Sequence, residues 1–306
     1  MKSMAILFPG QGSQYVGMGK DWYDSDASAR DLFIRGDEIL GFKLSEICFN
    51  GPEEELRQTR NTQPAIFLHS VGVLMSQKNL DPRMAAGHSL GEYSAFVAAG
   101  AMEFETALKL VRLRGELMQR AGEENKGTMA AIVGLPNDSL EALCREASPE
   151  GIVQPANFNS PGQTVISGSV QGVKKAMELA KQRGAKLVKE LVVSGAFHSP
   201  LMASAQDGLR KALEETEIHN ARFPVYCNVT GEPVTEAGEI RDSLNRQLTS
   251  PVRWEQTIKN MVRDGATQFC EIGPGKVLQG LARRTEPSVP VTGIDRFSDV
   301  RELAIG

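Results

Sequence analysis

Ser89 stands in Gly87-His88-Ser89-Leu90-Gly91, a G-x-S-x-G run entered from Met84-Ala85-Ala86 and followed at once by a helical segment that reads to Gly100. This is the pattern of a nucleophile elbow. A strand turns sharply into a helix, and glycines on either side of the serine let neighbouring backbone come close. The serine oxygen then stands at a helix N-terminus, where unpaired N–H groups and the helix dipole favour a developing oxyanion. An ordinary glycine turn is the alternative, and the strand-turn-helix context favours the nucleophile.

A serine nucleophile needs a base, and the chain has four histidines. His69 lies in the nearly all-apolar run Ala65–Met75 and reads as a packed core residue. His219 sits in a polar connector, and His88 adjoins the serine in a position that points it away. By elimination the base is His198, in Ser194-Gly195-Ala196-Phe197-His198-Ser199-Pro200.

Two further residues could do chemistry. Gln11, in Pro9-Gly10-Gln11-Gly12, sits in a loop that is a poor phosphate cradle, because Tyr15 replaces the third fingerprint glycine and no G-K-[ST] follows. It is suited to reach a reacting group, or it is a solvated amide. Arg114 falls on the apolar face of the helix Phe104–Gly122, one turn from Leu110, Val111, Leu117 and Met118. A buried guanidinium needs an anionic or multiply hydrogen-bonding partner. A structural carboxylate, the carboxylate of a ligand and a snorkelling rim position all remain open from the helix alone.

The elements that must position these residues follow from the chain order. Met4–Phe8 reads as a buried strand, and strands at Phe223–Asn228, Thr267–Ile272 and Val289–Ile294 complete a parallel sheet with intervening helices. Between Gly127 and Val193 the order is βαββαβ, the ferredoxin-like pattern. The expected fold is α/β: an α/β-hydrolase-like catalytic domain, residues 1–125 and 196–306, interrupted by an inserted ferredoxin-like subdomain, residues 126–195. Ligand sites favour such a boundary.

Composition narrows the function. A net charge of -4 indicates no nucleic-acid binding. No apolar run suits a signal peptide or a membrane span, so a cytoplasmic protein is expected. Cys48, Cys144, Cys227 and Cys270 are isolated singletons, which reads as free structural thiols and no metal site.

Taken together, these residues resemble the malonyl-CoA:acyl-carrier-protein transacylases and the acyltransferase domains of fatty-acid and polyketide synthases. The likeness runs in order through Pro9-Gly10-Gln11-Gly12, Thr62-Gln63-Pro64-Ala65, the elbow with Glu92, and Arg112-Leu113-Arg114-Gly115. It continues through Asn157-Phe158-Asn159-Ser160-Pro161-Gly162-Gln163, Gly195–His198, Gln247–Val252 and Glu271-Ile272-Gly273-Pro274-Gly275. The resemblance implies a ping-pong transfer of malonyl from coenzyme A, through malonyl-Ser89, to the phosphopantetheine thiol of an acyl carrier protein. In it the backbone N–H groups of Leu90 and Gln11 hold the oxyanion and Arg114 pairs with the malonyl carboxylate. The Gln247 carbonyl orients His198, in place of the acid of a hydrolase triad. Phe197, Met118, Gln63 and Asn159 line the acyl pocket. No cofactor is implied, malonyl-CoA being a substrate, and a monomer is expected.

Two rivals share parts of the pattern. A thioesterase or acyl-hydrolase would use Ser89 and His198 with no need of Arg114. A catalytically silent carrier-docking module would need neither. An acidic carrier would be met by a basic patch of Lys186, Lys189, Arg283 and Arg284 near the cleft.

Overall fold

The computed structural model describes residues 3–77 and 80–300; the outer limits of the expected large domain, residues 1–2 and 301–306, lie outside the described residues. Among the described residues the strands are β1 (Met4–Phe8), β2 (Pro82–Gly87), β3 (Gly127–Val133), β4 (Val153–Ser160) and β5 (Gln163–Ser169), then β6 (Leu187–Glu190), β7 (Val225–Tyr226), β8 (Pro233–Val234), β9 (Gln268–Ile272) and β10 (Val291–Ile294). The larger sheet has the order β10-β9-β1-β2-β7-β8, parallel except for the edge strand β8. Strand β1 shows why it lies at the centre. Ile6 and Phe8 join one core with Phe67 and Phe96, while Ala5 and Leu7 face the opposite core with Trp254 and Ile258. Alternate residues point to opposite faces, and a parallel strand covered on both reads as a continuous apolar run.

The smaller sheet is antiparallel, in the order β4-β5-β3-β6. Ala130, Ile132 and Ile166 pack under the helices Asn137–Ala147 and Val170–Gln182 in a core of their own. Met129, Val165 and Ala156 instead join the core of the larger sheet, with Met118 and Phe197. The fold is therefore α/β with a parallel sheet and a small ferredoxin-like antiparallel one. No helix of the described residues is long and apolar enough to cross a membrane, and the four cysteines are buried and unpaired.

Some boundaries differ from the expected ones. The expected strand Phe223–Asn228 shrinks to Val225–Tyr226, and the last strand of the small sheet stops at Glu190, short of Val193. The apolar helix begins at Thr59 and runs to Met75 with Pro64 inside it. A proline there has no N–H for the carbonyl four residues back. That carbonyl, on Arg60, accepts a bond from Arg112 Nη1 at 3.0 Å, so the break is satisfied from the neighbouring helix.

Candidate active site

The elbow lies at the end of β2. A Cβ on Gly87 would collide with the Gly91 backbone, and one on Gly91 with the Phe8 carbonyl, so both positions require glycine. Ser89 has a φ of 50° and His198 one of 57°, the only positive φ values among the described non-glycine residues. Left-handed backbone at such residues is strained and persists only where the surroundings enforce it. At Ser89 the enforcement comes from Asn228, which follows β7: its Oδ1 accepts the Ser89 N–H at 2.6 Å and its Nδ2 donates to the Gly87 carbonyl at 2.7 Å. Since Asn228 occupies the Ser89 N–H, that group is not available to an oxyanion. Among the described residues nothing takes the N–H of Leu90 or Gln11.

Ser89 Oγ lies 2.9 Å from His198 Nε2. On the other side of the ring, Nδ1 faces the Gln247 carbonyl at 2.9 Å and the Ser250 carbonyl at 3.2 Å. Two carbonyls can only accept, so they place the ring proton on Nδ1 and leave Nε2 as the acceptor for the serine. His198 is 3 % exposed. Burial, reinforced by the charge of Arg114, pulls its pKa down to about 3, so the ring is neutral at ordinary pH. The carbonyl loop is itself stitched to the small sheet, with Phe158 N–H donating to Val252 O and Val252 N–H to Ala156 O.

Arg114, only 1 % exposed, enters from the helix Phe104–Glu124. Nη1 donates to Gln63 Oε1 at 2.6 Å, and Nη2 to Ser89 Oγ at 3.0 Å and to Gln247 Oε1 at 2.8 Å. The snorkelling alternative is thereby removed: the guanidinium is buried and aimed at Ser89 Oγ. Gln63 in turn donates to Met118 Sδ at 3.2 Å. One end of the Gln63 amide thus holds Arg114 and the other is seated on Met118.

The structure brings Ser89, His198, Arg114, Gln247, Gln63 and Met118 into one hydrogen-bonded group. The remaining sequence candidates stand around it. Phe197 is buried before the histidine. Asn159 Oδ1 pairs with His88 Nε2 at 2.9 Å, which fixes His88 away from the serine. The Gln11 side chain is exposed and donates to Thr59 Oγ1 at 3.3 Å, and Thr59 meets Ser194 Oγ at 2.7 Å. It bonds Thr59 and not the serine. His69 is buried against Asp295, and His219 is exposed.

Three contributions escaped the sequence reading. Asn228 follows a two-residue strand with no periodic signal. The Gln247 side chain, beyond its carbonyl, donates through Nε2 to Ser89 O at 2.9 Å and to Glu92 Oε2 at 2.5 Å. Glu92, one residue past the elbow, is wholly buried.

A half-buried serine on a buried histidine, with a cation on the serine oxygen, can form an ester with an acyl group and hold a negative charge carried by that group. The sequence profile described as acyl transferase domain matches residues 6–298, and the chain belongs to that family. It is 47% identical, over 100% of this chain and 97% of the relative, to malonyl CoA-acyl carrier protein transacylase of Bacillus subtilis strain 168. It also resembles the crystal structure of an acyl carrier protein S-malonyltransferase from Vibrio cholerae, with a TM-score of 0.95 and 41% identity over 99% of this chain and 100% of that one. A type II PKS acyl-carrier protein in complex with its malonyl-transacylase aligns with a TM-score of 0.96 and 40% identity, covering 100% of each chain.

Proposed function

We propose that this chain is a malonyl-CoA:acyl-carrier-protein transacylase. Its full-length similarity to enzymes of that name supports the reading. The observation that carries it is Arg114, a buried cation on the oxygen of the nucleophile. Ser89 attacks the thioester carbonyl of malonyl-CoA as its proton passes to His198 Nε2. The N–H groups of Leu90 and Gln11 hold the tetrahedral oxyanion. The carbon–sulfur bond breaks, and the departing coenzyme A thiolate takes the proton from His198. The phosphopantetheine thiol of a carrier protein then gives its proton to His198 and attacks malonyl-Ser89, and the serine leaves with that proton.

Arg114 has two tasks in this cycle. In the free site Nη2 donates to Ser89 Oγ, which holds the guanidinium beside the serine. Once Ser89 is esterified, the guanidinium turns its donors to the malonyl carboxylate, a planar bidentate match that an ammonium cannot supply. A hydrolase acting on neutral acyl groups has no use for this cation. The orienter behind His198 is a carbonyl pair, which leaves the imidazole less basic than a carboxylate would and suits it to activated thioesters. Phe197, Met118 and Asn159 wall the acyl pocket. On this reading the enzyme acts as a monomer in the cytoplasm and supplies extender units for fatty-acid or polyketide synthesis.

Mass spectrometry after mixing with malonyl-CoA tests the intermediate. A malonyl adduct on Ser89 is expected in the native protein and none in Ser89→Ala, whose turnover falls by up to about 10⁶-fold. A native chain that stays unmodified is a silent module, and the proposal fails.

A further inference from the structure

We propose that Glu92 is a positioning residue for transfer: its carboxylate is the counter-charge of Arg114, delivered through the side-chain amide of Gln247. The proposal rests on the reading that Arg114 receives the substrate carboxylate. A guanidinium buried to this degree is costly without an anion. Yet each hydrogen-bond acceptor on Arg114 is neutral: Gln63 Oε1, Gln247 Oε1 and Ser89 Oγ. The anion stands one residue further. Gln247 Oε1 accepts from Arg114 at 2.8 Å, while the same amide donates Nε2–H to Glu92 Oε2 at 2.5 Å. The amide dipole thus lies with its oxygen on the cation and its nitrogen on the anion. Turned over, it would set NH₂ against a guanidinium and oxygen against a carboxylate, so the two charges themselves select this orientation.

The surroundings of Glu92 suit an acceptor that carries charge. Besides Gln247, the Asn228 N–H reaches Oε2 at 3.4 Å and Ser243 Oγ donates to Oε1 at 3.2 Å. Glu92 also lies in the first turn of the helix Gly91–Ala98, at the positive end of its dipole. Burial works against ionisation and lifts its pKa to about 7, with these donors pulling the other way. No other part of the mechanism uses this carboxylate.

An amide relay does what a direct ion pair cannot. A carboxylate in contact with Arg114 would fill the donors that the substrate needs. Held one amide away, Glu92 keeps the guanidinium charged and aimed but open. The same Gln247 amide also donates to the Ser89 carbonyl, so Glu92 acts on Arg114 and on the elbow through one side chain, while the Gln247 backbone carbonyl faces His198 Nδ1.

The test compares malonyl and acetyl transfer from their coenzyme A thioesters in Glu92→Gln, Glu92→Asp and Arg114→Ala, alone and combined. Glu92→Gln is expected to fold, to raise KM for malonyl-CoA, and to lower the malonyl-to-acetyl preference about tenfold, within the coupling range of residues that share one network. Glu92→Asp keeps the charge and is expected to keep most of the preference. In the Arg114→Ala background Glu92→Gln should change the preference no further. Equal loss of both reactions in Glu92→Gln marks a structural role and overturns the proposal, as does a preference unchanged from the native enzyme. If Glu92→Gln does not fold, Gln247→Leu breaks the relay while leaving the carbonyl in place, and the same fall in preference is required of it. Should Arg114→Ala itself retain malonyl preference, the reading of Arg114 fails first, a result distinguishable from failure at Glu92 alone.

Discussion

Arg114 places Nη2 3.0 Å from Ser89 Oγ, so the cation proposed to read the acyl group's charge touches the oxygen proposed to make the bond. On that proposal, binding and reaction are coupled at one oxygen. Replacing Arg114 by Ala is expected to cost about 2–5 kcal/mol in malonyl-transfer efficiency, the range for truncating one member of a buried charge pair. Acetyl transfer should survive or rise. Radiolabelled transfer from the two coenzyme A thioesters measures both, and an equal fall would remove the carboxylate role.

Asn228 bonds the elbow from both sides. Asn228→Ala leaves the Ser89 N–H and the Gly87 carbonyl without partners, at about 1–3 kcal/mol for each buried group. Denaturant titration should show lower stability, and the rate of Ser89 acylation should fall with it. A variant as stable as the native chain would mean that the elbow is held by its glycines alone.

Acid should weaken the fold through His198. Burial and then Arg114 hold its native pKa at about 3, against about 6.5 for an unfolded histidine. Below pH 6.5 the unfolded chain takes up a proton that the folded site refuses, so stability is complete above that pH and is lost as pH falls from 6.5 toward 3. At pH 5 the loss from this residue is roughly 2 kcal/mol. His69 and His88, also lowered by burial, act in the same direction. Glu92 and Glu271, raised by burial to about 7, act oppositely and cost stability as pH rises from about 4.5 to 7. Urea unfolding at pH 7 and pH 5 should show a smaller acid-induced loss in His198→Gln than in the native protein. An unchanged difference would contradict a neutral, buried His198.

Carrier docking is narrowed by the fold. The four basic residues do not make one patch: Lys186 and Lys189 belong to the β6 edge of the small sheet, while Arg283 and Arg284 ride on the helix Val277–Thr285 beside β4 at its far edge. Arg283 and Arg284 also donate to the carbonyls of Val291 and Gly280. Charge reversal at Lys186 and Lys189 is therefore the change expected to raise KM for an acidic carrier and reduce its salt dependence. Transfer to free pantetheine should be unaffected, and carrier kinetics indifferent to the reversal would exclude this edge.

What could be read from sequence was whatever leaves a local trace. Gly87 and Gly91 are dictated by neighbours within a few residues, and the angular position of Arg114 follows from its own helix. His198 emerged because the other histidines had better explanations. The βαββαβ order of the small sheet was visible in alternating patterns. Asn228 and Glu92 were not visible in this way, because their partners lie 139 and 155 residues away in the chain. Glu92 is an ordinary helix-start acid until the fold brings Gln247 to it. Likewise nothing local tells that Pro64 lies inside a helix, since its orphaned carbonyl is satisfied by Arg112 on another one.

The two left-handed residues, Ser89 and His198, are hydrogen-bonded to each other, and they come from segments 109 positions apart. Ser89 is kept in its backbone conformation by Asn228, and the His198 carbonyl is held by Gln154 of β4 in the small sheet, so loosening of the seam between the two sheets would let His198 relax. Competence should therefore be the first property lost on warming: transfer is expected to fade at temperatures where circular dichroism still reports intact helices, and to return on cooling.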